Sequence, residues 1–170
     1  MITEDELRAA CAKVTYAFKD YPHLSEAVYQ RALQLELQAA GHTVVAEVVK
    51  PVMYKGMHVG TVRADLVVHN RSADDFVIEL KRVPKILQGH IDQLRTYVAL
   101  TADRQVEQYH EFCDVRGAVV NFGRAPAEIH IVDTPVWARG RESSPTRSRS
   151  RSRTPSRASS DWSPERATAP

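Results

Sequence analysis

The chain has only two cysteines in 170 residues, Cys11 and Cys113, far apart and without C-x-x-C spacing. That scarcity argues against a zinc ribbon, a thioredoxin-type redox pair or a cysteine-ligated iron–sulfur cluster, and predicts two plain, reduced packing residues. Long apolar runs are missing as well: none approaches the ~20 residues of a membrane span. The first residues, MITEDELRAACAKV, are acidic and amphipathic and lack the basic-then-apolar pattern of a secretory signal. A soluble, intracellular protein with no membrane partner is the expectation. With 43% hydrophobic content, a chain of this length buries one ordinary core and hardly two.

Charge is present but unevenly placed. From Ala138 to the end there are eight arginines and three acids, a net +5, whereas the preceding 137 residues carry 15 basic and 18 acidic side chains, a net −3. The segment RESSPTRSRSRSRTPSRASSDWSPERATAP is built from Ser, Arg, Pro and Thr, with Trp162 as its only aromatic residue. It cannot bury enough apolar surface to offset the entropy of ordering it. Two regions are therefore expected, a folded domain over residues 1–137 and a disordered Arg/Ser-rich tail over 138–170.

Within the domain the hydrophobic period changes along the chain. Thr3 with Glu6 three residues later forms a capping box before Leu7, Ala10, Cys11, Val14 and Phe18 at helical spacing. A second helix follows, with Ser25 as N-cap, Val28, Ala32, Leu33 and Leu37 along one face, and Gly41 as a stop. TVVAEVVKPVMY is rich in β-branched residues, and Pro51 there implies a bend, a bulge or a sheet edge. A turn at Lys55 and Gly56 leads into a strand with Val62, Ala64, Leu66 and Val68 on one face and Arg63, Asp65 and Val67 on the other. FVIELKRV makes a third strand, so an antiparallel meander is expected. The helical period returns with Leu87, Ile91, Leu94 and Val98, with His90, Gln93 and Tyr97 alongside. A polar helix-like segment, DRQVEQYHEF, then precedes two short strands. The order helix, helix, three strands, helix, two strands predicts α/β layers around a mixed sheet.

FVIELKRV also carries chemistry. Side chains alternate along a strand, so Glu79 and Lys81 aim at one spot, to which Asp65 can be presented from the adjacent strand. Two carboxylates in a partly buried cleft repel, and a hard divalent cation such as Mg²⁺ relieves that repulsion. A lysine beside it can orient or deprotonate water. Such a set suits hydrolysis of a phosphodiester. Taken alone, E-x-K on a strand is more often a solvated rung, and Glu26 in the first turn of a helix is where an acid suits the macrodipole.

The combination in order resembles the PD-(D/E)xK nuclease superfamily, and more closely the small proteins named for a G-x-x-E-x-x-Y motif. The stretches that carry the resemblance are HLSEAVYQRALQLEL, VVKPVMYKGMHVGTVRADLVV, FVIELKRV, HIDQLRTYVAL and VVNFG, spanning roughly Ile2 to Asp133. The resemblance implies an α-β-β-β-α-β core and a DNA-hydrolysing enzyme dependent on Mg²⁺ or Mn²⁺. Asp65 and Glu79 would be metal ligands, Lys81 the general base or water-positioning group, and Glu26 an acid near metal-bound water. Gln93 and Tyr97 match a Q-x-x-x-Y helix that lines the site in RecB-like and λ-exonuclease-like members. Arg63, Arg82, Lys85 and Arg95, with the tail, are the expected phosphate contacts. No role is assigned to His90. One position departs: His23 stands where the naming motif has glycine, which bears on how Glu26 is presented. A catalytically silent nucleic-acid- or protein-binding module on the same fold is the alternative. The tail resembles the Arg/Ser domains of splicing regulators, which implies SR-type or proline-directed kinases as partners, acting at Ser144, Thr154 and Ser163 in the proline-directed case, and nuclear import.

Overall fold

The computed structural model describes residues 2–21, 23–69, 75–109 and 115–133, with the side chains of 102–109 left out of the description. Cys113, the 137/138 boundary and the tail lie outside the described residues. The elements are α1 (Glu4–Ala17), α2 (Glu26–Ala39), β1 (Thr43–Tyr54), β2 (Met57–His69), β3 (Phe76–Lys81), α3 (Gln88–Tyr109), β4 (Arg116–Asn121) and β5 (Glu128–Val132).

The capping box forms as expected at α1. The Glu6 amide donates to Thr3 Oγ1 at 3.2 Å, and the Thr3 amide donates back to Glu6 Oε2 at 2.7 Å. Leu7, Ala10, Cys11 and Val14 form its buried stripe, and burial pushes the Cys11 thiol up to about 12, an inert packing group.

In α2, Ser25 takes the N-cap position without a side-chain cap bond. Its buried face differs from expectation: Tyr29, Leu33, Gln34 and Leu37 turn inward while Val28 is 37% exposed. The aromatic partners explain the rotation. Tyr29 stacks on Phe122 at 5.0 Å and meets Phe18 edge-on at 5.3 Å, a larger apolar contact than a valine offers. Gln34 is tolerated inside because its amide donates to the Val44 carbonyl and its oxygen accepts from Arg31.

The strands form one five-stranded sheet in the order β1-β2-β3-β4-β5. β3 and β4 run parallel, and the other pairs are antiparallel. α3 is the crossover that a parallel pair needs. One core lies between the sheet and α1 with α2, around Leu7, Leu33, Leu37, Leu66, Ile78 and Leu80. A second lies under α3, around Val67, Val77, Leu94, Tyr97, Val98 and Val119. Truncating a fully buried leucine such as Leu33 to alanine costs about 2–5 kcal/mol.

Two local expectations need correction, and a third holds. The face predicted for β2 is split: Leu66 and Val68 join the core under α1 and α2, whereas Val62 and Ala64 join the one under α3. Alternation breaks at Asp65: the ladder pairs Ala46–Leu66 and Val48–Ala64 in one unshifted register but skips the position between them, where Glu47 has a left-handed backbone at φ 56°. Next, α3 is one continuous helix, and Leu87 precedes it and is exposed. Its amide donates to His90 Nδ1 at 3.1 Å and its carbonyl accepts from the His90 amide at 3.0 Å, so His90 closes the helix start. Finally, Pro51 sits on the sheet's edge strand, as expected, and a bulge follows at Val52 and Met53.

Candidate active site

Asp65 owes its position to a parting of strands. β2 pairs with β3 only over Leu66–Ile78, Val67–Val77 and Val68–Phe76. Where the ladder stops, the side chain takes over: Asp65 Oδ2 accepts the Leu80 amide at 2.7 Å. Gln30 of α2 reaches the same point, its Nε2 donating to the Asp65 carbonyl and to Glu47 Oε1, each at 2.8 Å. Arg63 closes the chain with Nη1 at 2.7 Å from Glu47 Oε2.

Glu79 and Lys81 are placed by plain alternation along β3, held by the parallel register Glu79–Val119 and Lys81–Asn121. Their heads meet at 2.6 Å, Nζ to Oε1, with side chains 15% and 4% exposed. The chain beyond Lys81 is clasped by the end of β4. Asn121, fully buried, accepts from the amides of Val83 and Gly123 and donates to the Val83 carbonyl. The Phe122 amide donates to the Lys81 carbonyl at 2.8 Å. A Cβ on Gly123 would fall 2.1 Å from the Val83 oxygen, so only glycine fits there.

These groups line a cleft of about 540 Å³ with Glu26, Thr61, Val62, Arg63, Gln93, Thr96 and Tyr97. Glu26, Asp65, Glu79, Lys81, Gln93 and Tyr97, drawn from the four elements α2, β2, β3 and α3 and each chosen on sequence grounds, therefore share one cavity. His23 in place of glycine leaves Glu26 in the lining. Tyr97 is buried, and its hydroxyl donates to the Val48 carbonyl at 3.1 Å, which pins the kinked stretch of β1 to α3. Burial, with a smaller contribution from Asp75, pushes that phenol up to about 12, so it stays a donor.

The electrostatics are those of crowded carboxylates. Burial and then the Asp65 charge push Glu79 up to about 7, outweighing the pull of the Lys81 ammonium bound to it. Glu26 adds to the same repulsion. Asp65 is raised too, chiefly by burial, against the Leu80 amide and Lys81. A cation would relieve both groups. The hydrogen bonds described engage one oxygen of each carboxylate, Asp65 Oδ2 and Glu79 Oε1. Among the described residues no three His, Cys, Asp or Glu side chains form a protein cage for a metal. The pair fits Mg²⁺, which is commonly held by one or two carboxylates together with water and substrate phosphate.

Of the four basic residues expected to touch phosphate, Arg63 lines the cleft. Arg82, one residue past the end of β3, is outside the lining, its guanidinium 5.9 Å from the centre of the Tyr29 ring. Lys85 is exposed outside the lining, and Arg95 pairs with Asp92 at 3.2 Å on the outer face of α3. Sequence reading missed Glu47, Gln30, Asn121 and Gly123. A signal existed for two of them: Asn followed two residues later by Gly at a strand end is the pattern of an Asx turn. Glu47 stood out only as the one charged residue in VVAEVV.

No curated protein matches the chain. Among solved structures, the crystal structure of SSO0001 is 19% identical, with 80% of this chain and 79% of that one covered, at a TM-score of 0.39. A family model described as the PD-(D/E)XK nuclease superfamily matches residues 5–131, three quarters of the chain and every element from α1 to β5. The mixed sheet and its flanking helices agree with that assignment, and the chain belongs to the PD-(D/E)XK nuclease superfamily.

Proposed function

We propose that the domain is a metal-dependent nuclease that hydrolyses phosphodiester bonds of DNA in the cleft between β2, β3 and α3. The observation that carries this reading is the meeting of Asp65, Glu79 and Lys81, two raised carboxylates and an amine within one cavity. Asp65 and Glu79 would hold Mg²⁺ or Mn²⁺, with Glu26 at the cavity wall facing its water. When bound, the cation polarises a phosphate oxygen and supplies acidified water. Lys81, fixed by Glu79 and by the clasp around its carbonyl, orients the attacking water as an ammonium, and takes a proton from that water only after giving up its own. Gln93 presents an amide to the substrate from α3, and Arg63 a positive charge from β2. The G-x-x-E-x-x-Y group supplies the nearest pattern, through Glu26 and Tyr29. The Arg/Ser segment 138–170 would add phosphate affinity, and kinase action at Ser144, Thr154 and Ser163 would remove it by adding about −1.5 to −2 charge each.

The test is a cleavage assay on labelled linear, circular and single-stranded DNA with Mg²⁺ or Mn²⁺, beside the Asp65→Ala protein. Metal-dependent cutting by the parent and none by the variant is expected. No cutting of any form, together with no rise in melting temperature on adding Mn²⁺, would leave a binding module in its place.

A further inference from the structure

Past Val48 and Ala64, β1 and β2 leave the body of the sheet. β2 pairs with β3 only from Leu66 to Val68, so residues 49–63 run on as a two-stranded ribbon with no third strand among the described residues. At about 3.3 Å per residue the arm from Val49 to Tyr54 reaches roughly 15–20 Å. The base of this ribbon is the cleft itself, since Thr61, Val62 and Arg63 line it.

Its far end combines two properties that a mere connection would not need. Met53, Tyr54, Met57 and Val59 are all exposed, Tyr54 at 58% and Met57 at 63%. The residues from Val48 to Ala64 hold Lys50, Lys55, His58 and Arg63 and no acid, in a domain whose net charge is −3. An edge strand protected only against aggregation would carry lysine and polar groups at these positions. The turn residue adds to this. Lys55 and Gly56 both have positive φ, 50° and 78°, in a two-residue hairpin whose first position suits Asn, Asp or Gly. Lysine accepts that strained backbone and lays its ammonium 5.4 Å from the centre of the Tyr54 ring.

Resting on the nuclease reading of the cleft, we infer that this hairpin is a binding arm for single-stranded DNA, which selects substrates with unpaired bases. Lys50 and Lys55 take phosphates, and Tyr54, on the ribbon face of Lys50 and paired with Met57, offers with it a platform on which an unpaired base stacks. A duplex hides its base faces inside the stack, so it meets only the charges. Self-association is disfavoured at the same surface, because a two-fold contact would bring Lys50 and Lys55 of both copies onto one interface.

The experiment is binding in EDTA, where no cutting occurs, of the full chain to one oligonucleotide sequence as single strand and as duplex, with 2-aminopurine at an unpaired position. The parent should quench 2-aminopurine and bind the single strand more tightly than the duplex. Tyr54→Ala with Met57→Ala should lose the quench and weaken single-strand binding by roughly tenfold, with duplex binding and melting temperature unchanged. Tyr54→Phe should retain both quench and affinity. An undiminished quench in the double variant, or equal losses on both DNA forms, overturns the inference. So does a parent dimer, seen by light scattering, that the double variant abolishes. Because no turnover is read, failure here leaves the cleavage reading standing, and an inactive protein that passes this test loses only that reading.

Discussion

The two halves of the sheet are built differently. β3 and β4 pair at six successive positions, Phe76–Arg116 to Lys81–Asn121, and Phe76 to Leu80 are all buried. β1 and β2 kink together at Glu47 and Asp65, carry a bulge at Val52 and Met53, and end in an exposed ribbon. The cleft lies across the seam. Glu79 and Lys81 come from the regular half, where alternation sets their direction, while Asp65 comes from the irregular half, where a side chain replaces a ladder bond. A precise constellation can thus be joined to an irregular, exposed ribbon, provided one carboxylate ties the halves together.

The largest effect should come from cutting that seam chemically. Lys81→Ala is expected to lower cleavage by about 10²–10⁴-fold with little change in fold, and Asp65→Ala or Glu79→Ala to abolish it, as read in single-turnover assays. Equal cleavage by the Lys81→Ala protein, with or without metal, would remove the mechanism. Asp65→Asn sharpens the point: it keeps an acceptor for the Leu80 amide, so its melting temperature should exceed that of Asp65→Ala while its cleavage is equally lost.

Disturbing the regular half should be felt as stability. Asn121→Ala strands the Val83 and Gly123 amides and should cost about 3 kcal/mol or more in denaturant unfolding. Gly123→Ala forces the Val83 backbone aside and should fall in the same range or above it.

pH probes the seam from within. Folded Glu79 binds its proton up to about 7, against 4.5 ordinarily, so between those values the native chain holds a proton that the unfolded chain has released. Stability without metal therefore falls as pH rises through this window and levels off above about 7, a Glu79 contribution on the order of 3 kcal/mol. Melting of the parent and of Glu79→Gln from pH 5 to about 8 in EDTA checks this, and the variant should show a flatter profile. The smallest effect is expected at the flank: Tyr97→Phe removes the hydroxyl on Val48 and should cost about 1 kcal/mol.

Much of the fold was legible because its determinants are local. Thr3 and Glu6 announce α1 within one turn, and Glu79 and Lys81 need only the period of a strand. What was illegible depends on partners distant in sequence. Val28 lost its place in α2 to Tyr29 because Phe122 and Phe18 arrive from elsewhere in the chain. The split face of β2 follows from Asp65 reaching across to Leu80, which periodicity cannot express. Arg82 was assigned to the substrate by its nearness to Lys81, whereas its contact with Tyr29 of α2 involves a partner distant in sequence.

The bond from the Leu80 amide to Asp65 gives the domain an asymmetric path of decay. A lineage that abandons cleavage can discard Glu79 or Lys81 without opening the strand junction, but discarding Asp65 for an apolar residue unbinds a main-chain donor in the interior. Descendants that have fallen silent should therefore keep an oxygen at position 65, as Asn or Asp, long after the rest of the set has drifted.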